Sequence, residues 1–208
     1  HFLGLVSDGG VHSYQSHLHA LVDVAADRGV PAVTHAFTDG RDTSPTGGAE
    51  YLADLEAHAD DRGTGHVATV TGRYYAMDRD HNWERTRKAY DAIVNRDARY
   101  ETDSAVAAVE ESYERGETDE FVEPTLISGA PALADGDAVI AFNFRADRAR
   151  QLCRLLSGVG TDEWPFTLDR PDVRLTTMTR YEETYPFPVA FPPNEPERTL
   201  GELWADAG

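Results

Sequence analysis

Short β-rich runs alternate along this chain with longer segments in which apolar residues recur at helical spacing. This alternation is typical of α/β domains, in which helices connect the strands of a mainly parallel sheet. The predicted strands cover residues 2–7, 32–38, 66–71, 138–144 and 173–179. We therefore expect a largely parallel sheet of about five strands with helices on both faces, which makes a three-layer α/β fold.

The same periodicity predicts five helices between and after these strands. Two of them, at residues 16–28 and 49–62, are each followed by a glycine, as helix C-termini prefer. The others are predicted at residues 82–94, at 149–156, and around an apolar stripe of Val106, Val109 and Tyr113 that Gly116 ends.

Four of the five predicted strands end in a polar loop rich in His, Arg or Asp. Ligands of open α/β sheets bind beyond the carboxyl ends of the strands, so these loops are expected to meet at one edge. One such loop alone is usually a tight turn or a surface ion pair, whereas four at one edge predict a binding site. The loops cover residues 8–13, 39–42, 72–80 and 145–148.

Arginine dominates these loops, and its planar fork of donors matches carboxylate and phosphate groups. Five arginines facing one crevice would repel one another, which predicts a small ligand with more than one anionic group. His12 alone would more often be a structural hydrogen-bonding residue than a catalytic one, but among these arginines it could contact a phosphoryl group. Asp42 would repel such a ligand unless it had a task such as accepting a hydroxyl proton. The candidate residues are His12, Arg41, Asp42, Arg73, Arg79, Arg145 and Arg148.

The charge of the chain limits its partners. It has 37 acidic against 19 basic residues, a net charge of −18, and Lys88 is its only lysine. Long-range repulsion at this charge disfavours nucleic acids and anionic membranes as partners. Near-total use of arginine with abundant aspartate indicates a salt-adapted host, although an ordinary acidic protein from a host that favours arginine codons would look similar.

Other sequence features add constraints. Cys153 is the only cysteine, which excludes an internal disulfide, and its helical setting predicts a packing role. No metal-ligand motif, membrane-length apolar run or signal sequence is evident, which favours the cytoplasm. Because the chain starts inside an apolar run and stops after a short helical pattern, we expect it to be a piece of a longer protein.

The four loops resemble those of the cofactor-independent phosphoglycerate mutases, where they occur in the same order. Gly116-Glu117-Thr118-Asp119-Glu120-Phe121 and Pro188-Val189-Ala190-Phe191 resemble further segments of that family, so the likeness covers nearly the whole chain. The loop segments that carry it are Ser7-Asp8-Gly9-Gly10-Val11-His12-Ser13, Asp39-Gly40-Arg41-Asp42, Gly72-Arg73-Tyr74-Tyr75-Ala76-Met77-Asp78-Arg79-Asp80 and Phe142-Asn143-Phe144-Arg145-Ala146-Asp147-Arg148-Ala149-Arg150-Gln151.

The resemblance implies a two-domain, metal-dependent isomerase that interconverts 3-phosphoglycerate and 2-phosphoglycerate in glycolysis and gluconeogenesis. In that family, one domain belongs to the alkaline phosphatase superfamily and holds two metal ions, usually manganese, and a transiently phosphorylated serine. No 2,3-bisphosphoglycerate is required. The other domain is inserted into the first, binds the glycerate and directs the phosphoryl transfer, and this chain resembles that inserted domain without its first part.

Carried over by position, the resemblance makes the same seven residues the substrate contacts and Asp42 the acid/base for the substrate hydroxyls. No segment here matches the family's serine nucleophile, its metal ligands or its substrate-site lysine. Ser7 and Ser13 flank the histidine loop and are not expected to be nucleophiles. We therefore expect no metal ion in these residues and no mutase turnover from them alone.

The proline-rich stretch that begins at Tyr185 cannot form regular helix or central strand, so it predicts a domain boundary. We expect a substrate-binding (phosphotransferase) domain at residues 1–184, a linker at 185–198 and the start of the phosphatase-like metal domain at 199–208. The expected partners are 3- and 2-phosphoglycerate and the phosphatase-like domain of the same polypeptide, in a monomer.

Two other functions remain open from the sequence. A non-catalytic module that binds small anions would keep the arginines and have no partner domain. A phosphatase-type hydrolase would need a metal site of its own within this chain.

Overall fold

A computed structural model of the chain describes residues 1–194 and 203–205, and all structural statements below refer to these residues. Seven strands form one sheet in the order β4-β5-β3-β2-β1-β6-β7. The strands are β1 (Phe2–Leu5), β2 (Val33–Thr38), β3 (His66–Gly72), β4 (Tyr100–Thr102), β5 (Thr125–Ile127), β6 (Ala138–Ala141) and β7 (Arg174–Thr177).

The sheet is largely parallel, as the sequence predicts. β1 pairs with β2 and β6 in parallel, and the parallel pairing extends outward to β3 on one side and β7 on the other. Only the pairing of β5 with β3 is antiparallel, and β4 then follows the direction of β5. The five predicted strands are confirmed, and the two short strands β4 and β5 add to them.

Six α-helices connect the strands: α1 (Gln15–Asp27), α2 (Gly48–Arg62), α3 (Arg73–Ala76), α4 (Trp83–Tyr90), α5 (Ala105–Glu114) and α6 (Arg150–Ser157). A π-helical turn at Asp91–Asn95 extends α4, and a 3₁₀ turn lies at Asp119–Phe121. Ser104 begins α5 by accepting a hydrogen bond from the amide of Ala107. The five predicted helices are present, and α3 is an addition to them.

Two apolar clusters lie on opposite faces of the sheet, which confirms the three-layer arrangement. Successive side chains of a strand point to opposite faces, so Leu3 and Leu5 join one cluster whereas Phe2 and Val6 join the other. The first cluster includes side chains of α4 and α6, and the second includes side chains of α1, α2 and α5. Cys153 is fully buried in the first cluster, where burial raises the pKa of its thiol to about 12.

The beginning of the proline-rich segment lies beside the outer strand β7. The amide of Thr177 donates to the carbonyl of Pro188, and the amide of Ala190 donates to the carbonyl of Thr177. The short helical pattern near the end of the chain predicts a last helix at residues 199–207. Residues 203–205 are helical, and the rest of this prediction lies outside the described residues. No described helix has both the length and the apolar character needed to cross a membrane.

Candidate functional site

The four polar loops meet at the carboxyl edge of β1, β2, β3 and β6, because these strands run in the same direction. Backbone hydrogen bonds connect the first loop to the fourth. The carbonyl of His12 accepts from the amides of Phe144, at 2.7 Å, and Arg145, at 3.2 Å. This connection fixes the histidine beside the arginine loop that follows β6.

Arg73 lies at the centre of the site. It opens α3 directly after β3 and is 4% exposed. Its Nη1 donates to the carboxylates of Asp39 and Asp42, each at 2.6 Å, and its Nη2 donates to Nε2 of His12 at 3.0 Å. One guanidinium therefore joins the loops that follow β1, β2 and β3.

Asp39 anchors this arrangement from the end of β2. Its carboxylate is 2% exposed and also accepts hydrogen bonds from Oγ of Ser7, at 2.9 Å, and from the amides of Arg41 and Asp42. Burial alone would raise the pKa of Asp39, but these donors together with Arg73 outweigh burial and lower it. Asp39 is thus a buried, charged anchor for the turn that carries Arg41 and Asp42.

The close approach of this turn to the rest of the fold requires a glycine. Gly40 adopts a φ of +65°, and a Cβ at this position would lie 2.7 Å from the backbone nitrogen of Glu120. Any other residue would push the turn away from the segment that packs behind it.

His12 is buried and neutral. Because its Nε2 accepts from Arg73, we assign its proton to Nδ1. Burial, followed by the positive charges of Arg73 and Arg145, lowers the pKa of His12 to about 4. Its Nδ1 has no hydrogen-bond partner within the described part of the chain and lies 4.0 Å from Oδ1 of Asp147. The site therefore presents an unused N–H donor.

Asp147 holds two of the arginines. Its carboxylate accepts from Nε and Nη2 of Arg145, at 2.8 and 3.0 Å, and from Nη1 of Arg79 at 2.7 Å. Partial burial opposes ionisation, but these two guanidinium groups lower the pKa of Asp147. Arg79 and Arg145 are both substantially exposed and face solvent across this carboxylate.

The last two arginines, Arg148 and Arg41, complete the cluster. Arg148 donates to the carbonyl of Met77 at 3.3 Å. Burial and then the nearby charges of Arg79, Arg73 and Arg41 lower the pKa of Arg148. Arg41 is exposed, and its Nη1 donates to Oε1 of Glu120 at 3.3 Å. Burial, together with the positive charges nearby, therefore disfavours the charged form of Arg148.

The structure thus brings all seven predicted residues together, and it corrects one expectation about them. The repulsion among the arginines is already reduced without a ligand, because Asp39 and Asp42 pair with Arg73, and Asp147 pairs with Arg79 and Arg145. Sequence reasoning missed the roles of Asp39 and Asp147. The signal was present in the loop motifs, where each of these residues lies within two positions of a predicted arginine.

The comparison with protein families agrees with this geometry. The family described as "BPG-independent PGAM N-terminus" matches residues 1–183 of the 208. The chain belongs to this family.

Individual members of the phosphoglycerate mutases are similar over the whole chain. The 2,3-bisphosphoglycerate-independent phosphoglycerate mutases of Haloarcula marismortui and Natronomonas pharaonis are 64% and 66% identical to it. A crystal structure of Leishmania mexicana phosphoglycerate mutase, determined at low cobalt concentration, superposes with a TM-score of 0.86 at 28% identity and covers all of the chain. The chain spans about 40% of the length of each of these relatives.

The two serines near the site have structural roles. Ser7 is fully buried and donates to Asp39, and Ser13 is buried and donates to the carbonyl of Leu5 at 2.5 Å. Because both serines are buried, neither hydroxyl is accessible to a phosphoryl group in this structure.

The site of this family member does not fit a divalent metal ion. Within residues 1–194 and 203–205, no group of three or more His, Cys, Asp or Glu side chains is arranged to hold one. The carboxylates at the sheet edge are hydrogen-bonded to guanidinium groups, and a cation placed among five arginines would be repelled.

The segment at residues 116–121, which resembles a family motif, supports the site from behind. Asp119 is buried and accepts hydrogen bonds from the amide of Gly48 and the hydroxyl of Tyr113. Its own carbonyl accepts from Oγ1 of Thr38, at the end of β2. Burial raises the pKa of Asp119. This segment packs against the turn at Gly40 and keeps Arg41 and Asp42 at the sheet edge.

Proposed function

We propose that this chain is the substrate-binding and phosphotransfer-directing part of a phosphoglycerate mutase that interconverts 3-phosphoglycerate and 2-phosphoglycerate. One observation carries the proposal: five arginines, a neutral histidine and Asp42 converge at one sheet edge in a chain of this family. A phosphoglycerate carries a carboxylate and a phosphate, which are the two groups that guanidinium forks bind best.

The arginines act by positioning and by electrostatics. Arg41, Arg79, Arg145 and Arg148 hold the carboxylate and phosphate of the substrate and offset negative charge that builds up during transfer. His12 donates its free Nδ1–H to an oxygen of the substrate, as its neutral form allows. Fixing the glycerate beside the phosphoryl group converts an encounter of two molecules into a reaction within one complex.

Asp42 is the acid/base in this proposal. The phosphoryl group passes between a serine of the remaining part of the enzyme and one of the two substrate hydroxyls. When a hydroxyl oxygen forms its bond to phosphorus, the bond between phosphorus and the serine oxygen breaks and Asp42 takes the hydroxyl proton. In the reverse step the serine oxygen bonds to phosphorus, the bond to the substrate oxygen breaks, and Asp42 returns the proton to that oxygen. The hydrogen bond from Arg73 holds the carboxylate in position.

The remaining parts of the enzyme are inferred from the family resemblance. A phosphatase-like domain of the same polypeptide supplies the serine and two metal ions, expected to be manganese, and no 2,3-bisphosphoglycerate takes part. We place the domain boundary in the proline-rich stretch at 185–198, with residues 1–184 before it and 199–208 after it. Glycolysis and gluconeogenesis assign such an enzyme to the cytoplasm, where it acts as a monomer.

A chimera tests this assignment directly. These 208 residues replace the corresponding segment of the Haloarcula marismortui enzyme, which is 64% identical. We expect the chimera to interconvert the two phosphoglycerates, and its Asp42→Asn variant to keep substrate binding while kcat falls by about 10²-fold or more. An Asp61→Asn variant, altered on the exposed surface of α2, is the matched control and should remain active.

The outcomes separate the competing functions. Unchanged turnover in the Asp42→Asn chimera would remove Asp42 from the acid/base role. A folded chimera that binds substrate without turnover would favour the non-catalytic anion-binding module. Metal-dependent turnover by the 208 residues alone would contradict the division of labour and favour a self-contained enzyme such as the hydrolase.

A further inference from the structure

Asp147 occupies the donors that an anionic substrate would need. Two nitrogens of Arg145 donate to its two carboxylate oxygens, and Arg79 donates to one of these oxygens as well. Paired donation from one guanidinium to one carboxylate is also the geometry with which arginine binds a carboxylate ligand. In the described structure, the protein itself therefore supplies the anion between these two arginines.

Asp147 differs in this respect from Asp39, the buried carboxylate that binds Arg73. Asp39 is 2% exposed and is held by two backbone amides and a serine hydroxyl as well as by Arg73. Asp147 is 26% exposed, and its carboxylate accepts only from the side chains of Arg79 and Arg145 within the described residues. It can leave its partners without breaking any backbone hydrogen bond.

Asp147 does not accept a hydrogen bond from every donor of the site, because the Nδ1–H of His12 remains without an acceptor among the described residues. The buried Nδ1–H of His12 points to no acceptor within hydrogen-bonding distance among the described residues, and Oδ1 of Asp147 remains 4.0 Å away. A buried donor without an acceptor is costly. An anion with an oxygen closer to Nδ1 would satisfy His12 in addition to the two arginines.

We propose that Asp147 is an internal anion that holds Arg79 and Arg145 in the ligand-free site and sets the affinity of the site by competing with the substrate. The proposal rests on the proposed function for the identity of that substrate. On binding, an anionic group of the phosphoglycerate replaces the Asp147 carboxylate between the two arginines and reaches Nδ1 of His12. Asp147 thus acts through the arginines and is a positioning residue.

The test is titration of inorganic phosphate, and separately of 3-phosphoglycerate, into the 208-residue chain, followed by NMR. Asp147→Asn keeps the shape of the side chain and removes its charge, so we expect phosphate to bind roughly three- to tenfold more tightly. Asp147→Glu keeps the charge and should stay close to the original affinity. Asp61→Asn makes the same change in net charge on the exposed surface of α2 and should not tighten binding.

Tighter binding is the decisive sign, because a residue that merely supported the arginines would weaken binding when removed. Equal or weaker phosphate binding by Asp147→Asn, or no phosphate binding by any variant, would overturn the proposal. If Asp147→Asn failed to fold in a thermal unfolding scan, Asp147→Ser would remove the same charge and carry the same expectation.

The two ligands keep this proposal distinct from the proposed function. If Asp147→Asn binds phosphate more tightly but no variant binds 3-phosphoglycerate, the internal anion stands and the substrate assignment fails. If 3-phosphoglycerate binds but loss of the Asp147 charge does not tighten phosphate binding, the substrate assignment stands and the internal anion fails.

Discussion

Arg73 is the residue that connects the proposed acid/base, the histidine of the site and a buried carboxylate. Its guanidinium is buried and binds Asp39, Asp42 and His12 at once, so it fixes the proposed acid/base and the neutral histidine relative to each other. A buried cation of this kind is stable only while its anionic partners remain. The stability of the site therefore depends on Asp39, although Asp39 is not among the residues proposed to contact the substrate.

Removing the charge of Asp39 should destabilise the fold. Asp39→Asn leaves Arg73 with one carboxylate and disturbs two backbone donors, so we expect a loss of about 3 kcal/mol in the free energy of unfolding. Ser7→Ala removes only one hydrogen bond to the same carboxylate and should cost about 1 kcal/mol. Denaturant unfolding measures both. Equal losses would show that the buried ion pair is not the anchor.

His12 should remain neutral far below the pH at which histidines usually titrate. Its folded pKa of about 4 lies below the ordinary value of 6.5, so between these pH values the unfolded chain binds a proton that the folded chain does not. His12 therefore contributes a loss of stability as the pH falls from about 6.5 to 4 and no loss above this window.

An NMR titration of the His12 ring measures this pKa directly. Denaturant unfolding at several pH values compares the original chain with a His12→Asn variant. Between about pH 6.5 and 4, the free energy of unfolding should fall less in the variant than in the original chain. A His12 ring that titrates near 6.5, or an identical pH profile in the variant, would contradict the buried, neutral histidine.

Residue type was enough to predict the seven cluster members, whereas the pairing of Asp39 and Asp147 with the arginines was not predicted, although both lie in the same loop motifs. Arginines after parallel strands indicate an anion site whatever their rotamers are. Whether a loop aspartate faces solvent or an arginine depends on side-chain directions that the sequence does not encode locally. Asp39 and Asp147 were therefore noted only as members of their loop motifs, and no role was predicted for either.

At the scale of elements, length decided what could be predicted. The five longer strands and five helices show clear periodicity, whereas β4 and β5 have only three residues each, too few for a pattern. The antiparallel pairing of β5 depends on contacts far apart in sequence. The short helix α3 was also missed, so the sequence placed Arg73 in a loop and the structure places it at a helix start.

The turn between β2 and α2 offers a prediction about backbone geometry. Gly40 and Gly63 both have positive φ, but a Cβ would meet backbone 2.7 Å away at Gly40 and nothing within 4 Å at Gly63. Gly63→Ala should cost about 1 kcal/mol, the penalty for the left-handed conformation alone. Gly40→Ala should cost more and should also weaken anion binding, because the turn carries Arg41 and Asp42.

Denaturant unfolding measures the stability of the two glycine variants, and phosphate titration measures their affinity for an anion. If Gly40→Ala lost no more stability than Gly63→Ala and kept its affinity, the close packing of this turn against Glu120 would not position the site.

In the whole molecule, the charged residues form two groups. Most of the −18 net charge belongs to an acidic surface, which agrees with a salt-adapted host and with relatives from halophilic organisms. Five of the 18 arginines lie at one sheet edge, where aspartates pair with three of them, Arg73, Arg79 and Arg145. A local positive site on an acidic molecule repels polyanions at long range and accepts a small anion at short range.

The central claim is that this sheet edge binds a phosphoglycerate, and calorimetric titration of 3-phosphoglycerate at high salt tests it most directly. Three chains are compared: the original, Arg145→Ala, and Arg174→Ala, which removes an arginine at the start of β7 and hence at the opposite edge of the sheet. We expect the original and Arg174→Ala to bind alike and Arg145→Ala to bind about tenfold or more weakly. Equal binding by all three chains, or binding by none, would contradict the account.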